Sequence, residues 1–341
     1  MSDTSTGGSS AAHLTIVVTG TVLDKPQAFG TPTNDASEVT QAQIDQIRAA
    51  VPGADVRTAT DRADLLDKIV DADIVFGHVP VAALARAQKL KWVQSSAAGP
   101  NALLYPEMVA NEVIVTSCKS NGAIPLAEHA MMLMLMLNRD AMHWVRAQDA
   151  RRWDRIYHNE LTGLTCGIIG LGHSGQDLAL KAKAFHMRVI GMRRSTQPAP
   201  NIDVIYPRER LHDLLRESDF VVVTAPLTPE TRGMLGEAEF RVMKPTAYFV
   251  CFSRGGIAVD AALLRALNEK WIAGAGIDAH DIEPLPAESP FWTAPNTIVT
   301  PHNGATTPLT RQRGVDIFVD NLRRYVGGRP LFNLVDKAAG Y

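Results

Sequence analysis

The chain has 341 residues, 46% of them hydrophobic, which is enough for two ordinary cores, and 34 basic residues stand against 36 acidic ones. That near-balance leaves no basic face for nucleic acid or an anionic membrane, and no apolar run is long enough to span a bilayer. Cys118, Cys166 and Cys251 lie far apart with no C-x-x-C pair, so they read as reduced core residues of a cytoplasmic protein.

Residues 1–12 are rich in Ser, Thr and Gly and read as a disordered tail, not a signal peptide. From Leu14, short apolar runs alternate with helical stretches. Strands are expected at Leu14–Thr19, Asp55–Thr58, Asp73–Phe76, Lys91–Ser95 and Val113–Ser117, with helices at Gln41–Ala50 and Asp61–Val70. Such alternation implies right-handed crossovers and a parallel sheet. Ile124–Leu137 is apolar on nearly every side, which predicts a helix buried between layers, its four methionines serving as adaptable packing. Arg139–Trp153 is polar and aromatic and reads as a connector with an interface role.

A second alternation follows, with strands expected at Cys166–Ile169, Arg188–Met192, Phe220–Thr224, Ala247–Phe252, Gly274–Asp278 and Thr297–Thr300. Between the first of these and the next helical pattern stand Gly170, Leu171, Gly172, His173, Ser174 and Gly175, a G-x-G-x-x-G turn. In strand-turn-helix context the first glycine permits the turn and the second lets backbone approach a pyrophosphate. The third lets helix and strand pack closely. The helix N-terminus then offers N–H groups to the anion. The alternative is a plain glycine-rich connection. After Thr307 a helix through Val315, Phe318 and Leu322 has no strand to cover, so it is expected to return to the first domain. The predicted architecture is α/β, with two Rossmann-like domains built on doubly wound parallel sheets and a cleft between them. The substrate domain is discontinuous (13–119 plus 303–341), and the dinucleotide-binding domain spans 120–302.

Three polar residues fall in loops after late strands: Arg254 in S-R-G-G, Glu283 in D-I-E-P and His302 in P-H-N-G. An arginine grips a carboxylate through paired N–H donors. A histidine exchanges protons near neutral pH, and a carboxylate beside it favours the imidazolium that protonates a carbonyl oxygen. Together they describe reversible reduction of a 2-oxo acid. Taken singly, Arg254 also reads as a turn residue, Glu283 as a solvated charge and His302 as a packed or capping histidine.

Gly170 to Gly175, Pro226-Leu227-Thr228 with Glu230-Thr231, Ser253-Arg254-Gly255 ahead of Val259-Asp260, Gly276-Ile277-Asp278 with Glu283-Pro284, and Thr300-Pro301-His302-Asn303-Gly304 come in an order and spacing that resembles the D-isomer-specific 2-hydroxyacid dehydrogenase family, glyoxylate/hydroxypyruvate reductases in particular. The resemblance implies that Arg254 holds the substrate, His302 is the acid/base and Glu283 orients it. It also implies that Asp278 contacts the nicotinamide carboxamide, and that Ala225, Pro226, Thr231, Phe252, Ser253 and Gly304, with His302, surround the cofactor. Ser96-Ala97-Ala98-Gly99 resembles the substrate loop, with Ala98 and Gly99 facing the carboxylate; an ordinary tight turn is the alternative. Glu128 and His129 match the family's A-E-H, where a structural role is expected. A homodimer and closure of a hinge near Ser120 and Thr300 are further implications.

Two departures stand out. Cys251 replaces a common asparagine, and Ala279-His280 replaces the common Val-Phe. His280, Asp281 and Glu283 lack a recognised metal-ligand spacing, so no metal is expected. Where an NAD site carries Asp or Glu about 20 residues past the glycines, this chain has Arg193, Arg194 and Ser195. Two guanidinium groups suit a 2′-phosphate, so NADP(H) is expected over NAD(H). The resulting expectation is an NAD(P)-dependent reductase of small 2-oxo acids. Its rivals are a corepressor-like nucleotide-sensing protein and a formate-dehydrogenase-like enzyme, the latter disfavoured because that family carries glutamine at the position of Glu283.

Overall fold

The computed structural model describes residues 14–20, 22–23, 39–195 and 197–340, so the expected N-terminal tail lies outside the described residues. The chain forms two compact units: one ends at Gly122 and resumes at Thr306, and the other runs Ala123–Ala305. Among the described residues no helix is long and apolar enough to cross a membrane.

In the first unit β1 (Thr15–Thr19), β2 (Val22–Leu23) and β3 (Val39–Thr40) lead into α1 (Gln41–Ala50). Then come β4 (Asp55–Ala59), α2 (Arg62–Lys68), β5 (Ile74–Phe76), α3 (Val81–Leu84), β6 (Trp92–Gln94), α4 (Pro106–Val109) and β7 (Ile114–Thr116). Five of these strands pair in parallel in the order β4-β1-β5-β6-β7. The helix starts are written in the sequence. Thr40 and Gln43 form a reciprocal capping box on α1, and the Asp61 side chain accepts from Asp64 N at the start of α2.

The second unit begins with α5 (Ala123–Asn138) and α6 (Ala141–Asp149). It continues with β8 (Thr165–Ile169), α7 (His173–Ala184), β9 (Arg188–Met192), β10 (Val204–Tyr206), α8 (Leu211–Glu217) and β11 (Phe220–Val223). After these come α9 (Glu237–Val242), β12 (Tyr248–Cys251), α10 (Asp260–Asn268), β13 (Gly274–Ile277) and β14 (Thr297–Val299). Seven strands form one parallel sheet, β10-β9-β8-β11-β12-β13-β14. Its central strands are buried on both faces, as a sheet covered by helices requires. Ile169, Val221, Val223 and Phe249 enter one apolar cluster, while Cys166, Ile168, Val222 and Val250 enter the other.

The sheet has one strand more than the six expected. β10 is a three-residue edge strand of which only Tyr206 is buried, too short and too exposed to leave a pattern. The apolar helix α5 is not enclosed on every side: Leu133 and Met134 are buried against the sheet and α7, whereas Ile124 and Met132 are exposed. The connector after it contains a helix of its own, α6. All three cysteines are buried and free.

The closing helix α11 (Pro308–Val326) belongs to the first unit, capped by Thr307 and buried through Val315, Phe318, Val319 and Leu322. Phe318 stacks on Phe76 at 4.5 Å and tilts against Trp92 at 5.4 Å, which carries α11 across the first sheet.

Candidate active site

The glycine turn sits where strand order reverses, between β8 and β11. Gly170 has φ +102, and a Cβ there would come within 2.7 Å of Ala225 N. A Cβ on Gly175 would lie 2.2 Å from Gly170 O. These two glycines are therefore demanded by the protein itself. Gly172 is not, since a Cβ there would meet nothing within 4 Å. It is the N-cap of α7 and has no side chain to cap the helix, so the first N–H groups of α7 face an open approach. That cradle fits a dinucleotide pyrophosphate. His173 is exposed and Ser174 half-buried beside it.

Leu171, Gly175, Ala225, Phe252 and Gly304 are buried, so these cofactor candidates form the frame, and side-chain contact is left to their exposed neighbours. Pro226 is exposed; Thr231 Oγ1 donates to Pro226 O at 2.7 Å and closes that loop. Arg193, Arg194 and Ser195 follow β9. The Arg193 guanidinium turns back on its own loop, with Nε donating to Ser195 O at 2.8 Å and Nη2 to Gln197 O, whereas Arg194 is exposed.

His302 and Glu283 meet, although 19 residues separate them. His302 Nδ1 lies 2.8 Å from both carboxylate oxygens of Glu283, and each side chain keeps 37% of its surface exposed. Because a carboxylate only accepts, Nδ1 carries the hydrogen and Nε2 is the position free to exchange a proton. His302 adopts φ +51, a left-handed conformation uncommon outside glycine, and such strain persists only where surroundings hold it. Here the holding group is Asp278. Asp278 is 0% exposed; Oδ1 accepts from Thr300 Oγ1 at 2.7 Å and from Asn303 N at 3.1 Å, and Oδ2 from Gly304 N at 3.0 Å. A carboxylate so enclosed anchors the His302 loop. His129 supports it from α5, with Nε2 3.0 Å from Thr300 Oγ1. Burial pushes the His129 imidazole down from its ordinary range, against the opposing pull of Asp278.

Arg254 reaches the same region through Gly255. A Cβ on Gly255 would strike the His280 carbonyl group at 2.1 Å, so only glycine lets the Ser253-Arg254-Gly255 turn pack on the segment leading to Glu283. Burial pushes the Arg254 guanidinium down, while the charge of Glu283 acts in the opposite direction. Its Nη1 donates to Ser253 O at 2.6 Å. A guanidinium short of solvent gains from a bound carboxylate. Among the described residues no group of three or more His, Cys, Asp and Glu side chains converges as a metal site.

Ala98 and Gly99 belong to the first unit, in the turn after β6. Ala97 O accepts from Cys118 N at 3.0 Å and Ala97 N donates to Ser95 Oγ at 3.2 Å, which fixes the turn. The roles of Thr300 and of the Asn303 and Gly304 amides in holding His302 escape sequence reasoning, because backbone donors leave no residue-type signal.

Comparison with known proteins agrees with this geometry. Residues 131–304 match the family model described as D-isomer specific 2-hydroxyacid dehydrogenase, NAD binding domain. The glyoxylate reductase of Pyrococcus furiosus is 32% identical over 289 residues, covering 81% of this chain and 86% of that protein. Among solved structures, a D-isomer specific 2-hydroxyacid dehydrogenase family protein of Aeromonas salmonicida superposes with a TM-score of 0.82 at 29% identity, covering 95% of this chain and 99% of that one. The NADPH-dependent glyoxylate/hydroxypyruvate reductase of Sinorhizobium meliloti, solved with NADP and sulfate, gives 0.79 at 28% identity, covering 96% and 99%. The chain belongs to the D-isomer specific 2-hydroxyacid dehydrogenase family and is an NAD(P)-dependent oxidoreductase of 2-oxo and 2-hydroxy acids.

Proposed function

We propose that the protein reduces a small 2-oxo acid of the glyoxylate or hydroxypyruvate class to its D-2-hydroxy acid, with NADPH preferred over NADH and His302 as the acid/base. The observation that carries this reading is the 2.8 Å pairing of His302 Nδ1 with Glu283. The bound nicotinamide supplies the hydride to C2. Arg254 grips the substrate carboxylate with the N–H donors it does not give to Ser253 O. His302 Nε2 delivers a proton to the carbonyl oxygen as it becomes an alkoxide, and Glu283 stabilises the imidazolium beforehand. In the reverse direction neutral Nε2 takes that proton back.

The NADPH preference is supported by Arg194 and Ser195, which follow β9 at the place where an NAD site carries Asp or Glu. The Sinorhizobium meliloti relative, solved with NADP, agrees. A homodimer is supported by Trp144, Val145, Trp153 and Tyr157, four large apolar side chains left exposed on and after α6. Light scattering should give twice the 37.0 kDa chain mass. The three buried free thiols suit a reducing compartment such as the cytoplasm.

The test is NADPH oxidation against a panel of 2-oxo acids, followed at the nicotinamide absorbance. Turnover with a short 2-oxo acid that is lost in His302→Asn supports the assignment. Nucleotide binding without turnover of any 2-oxo acid refutes it.

A further inference from the structure

Cys251, Ala279 and His280 line one small cavity together with Arg254, Asp260 and Phe291. Its volume is about 10 Å³, room for a single water. His280 is 7% exposed, and it touches Glu283 directly and the loop that carries His302. Its backbone N–H donates to Glu283 Oε1 at 2.9 Å, and its ring Nε2 lies 3.1 Å from Thr300 O, two residues before His302. A carbonyl only accepts, so Nε2 carries the hydrogen and Nδ1 is the acceptor. Nδ1 has no hydrogen-bond partner among the described residues.

We propose that His280 is a positioning residue for the Glu283–His302 pair, an inference that rests on the catalytic reading of that pair. Thr300 N donates to Ile277 O at 2.9 Å and Thr300 Oγ1 to Asp278 at 2.7 Å. Those bonds fix where the loop begins. Its direction is set at the Thr300 carbonyl, because the next residue, Pro301, has no N–H and His302 is held at φ +51. The His280 ring is the group that grips this carbonyl. A phenylalanine would fill the same space and keep the backbone bond to Glu283 but would release the carbonyl, so the ring's contribution can be isolated.

The experiment compares His280→Phe with His280→Gln, whose side-chain amide can reach the same acceptor. In His280→Phe, kcat should fall about two- to tenfold, the worth of one hydrogen bond, while KM for NADPH and the melting temperature stay unchanged. His280→Gln should recover kcat to within about twofold of wild type by restoring that donor. Histidine ¹⁵N spectra give a readout independent of turnover: the His302 ring signals should move in His280→Phe and return in His280→Gln. Unchanged kcat and unchanged His302 signals in His280→Phe would overturn the proposal, as would a Gln variant no better than Phe at equal melting temperature. Should the wild type reduce no 2-oxo acid while the His302 signals still respond this way, the positioning role stands and the reaction assignment falls.

Discussion

Both sheets are parallel and reverse their strand order once, but they differ at the point of reversal. In the first unit this point lies at the carboxyl ends of β1 and β5. There the Thr19 side chain occupies the gap, since a Cβ on Gly77 would sit 1.8 Å from Thr19 Oγ1, and Thr19 also accepts from His78 N at 3.2 Å. In the second unit the equivalent place is open at Gly172, with the start of α7 above it. Doubly wound topology supplies a crevice in either case, and a handful of residues decides whether a ligand can enter.

The largest effect expected on the second unit is that of His302→Asn. Removing a general acid lowers kcat by about 10²- to 10⁴-fold. The side chain is 37% exposed and lies outside the apolar core, so the melting temperature should hold. Reduction draws a proton from Nε2 and oxidation of the hydroxy acid returns one, so the variant should lose both directions together. Persistence of either would assign the proton transfer to another group.

In the first unit the comparable energy lies in packing. Phe318 is fully buried and stacked on Phe76, so Phe318→Ala should destabilise by about 3–5 kcal/mol in urea titrations. NADPH affinity, read by nicotinamide fluorescence under native conditions, should be unchanged, because the glycine turn lies in the other unit. A parallel loss of affinity would break the distinction between a packed unit and a ligand-bearing one.

Much of this was readable in advance where burial imposes a pattern. Phe220-Val221-Val222-Val223 is apolar throughout because helices cover both faces of its sheet, and Gln41–Ala50 forms the expected helix. β10 was hidden because a short edge strand with two half-buried residues carries neither alternation nor an apolar run. The three candidate residues stood out by type and position, since an imidazole, a carboxylate and a guanidinium each follow a late strand, and the 2.8 Å pairing of His302 with Glu283 is a matter of the fold. The anchoring role of Asp278 was not legible, because a strand-end aspartate has the same sequence appearance whatever loop it holds. Its partners are backbone amides 25 and 26 residues away, set by the fold alone.

The glycine turn allows a narrower test of the same contrast. Gly175→Ala forces a methyl within 2.2 Å of Gly170 O and should cost about 1–3 kcal/mol of stability as overpacking. Gly172→Ala meets no protein atom within 4 Å, so its stability should match wild type. Its added methyl instead faces the approach to the α7 N-terminus, where it should weaken NADPH binding about tenfold, or roughly 1.4 kcal/mol. Equal losses of stability in the two variants would mean that Gly172 serves the turn and not a ligand.

The smallest effect separates two arginines that are indistinguishable in sequence. Arg193 closes its own loop through the Ser195 and Gln197 carbonyls, so Arg193→Ala should loosen that loop and raise KM for NADPH and NADH together. Arg194 is exposed beside Ser195 at the end of β9, where a guanidinium can meet the 2′-phosphate that only NADPH carries. An exposed charge-assisted contact is worth about 1 kcal/mol, so Arg194→Ala should raise KM for NADPH about fivefold and leave that for NADH unchanged. Steady-state kinetics with both nucleotides read the difference directly. Equal changes for the two nucleotides in Arg194→Ala would remove phosphate recognition from this loop and return the cofactor preference to the open cradle at Gly172.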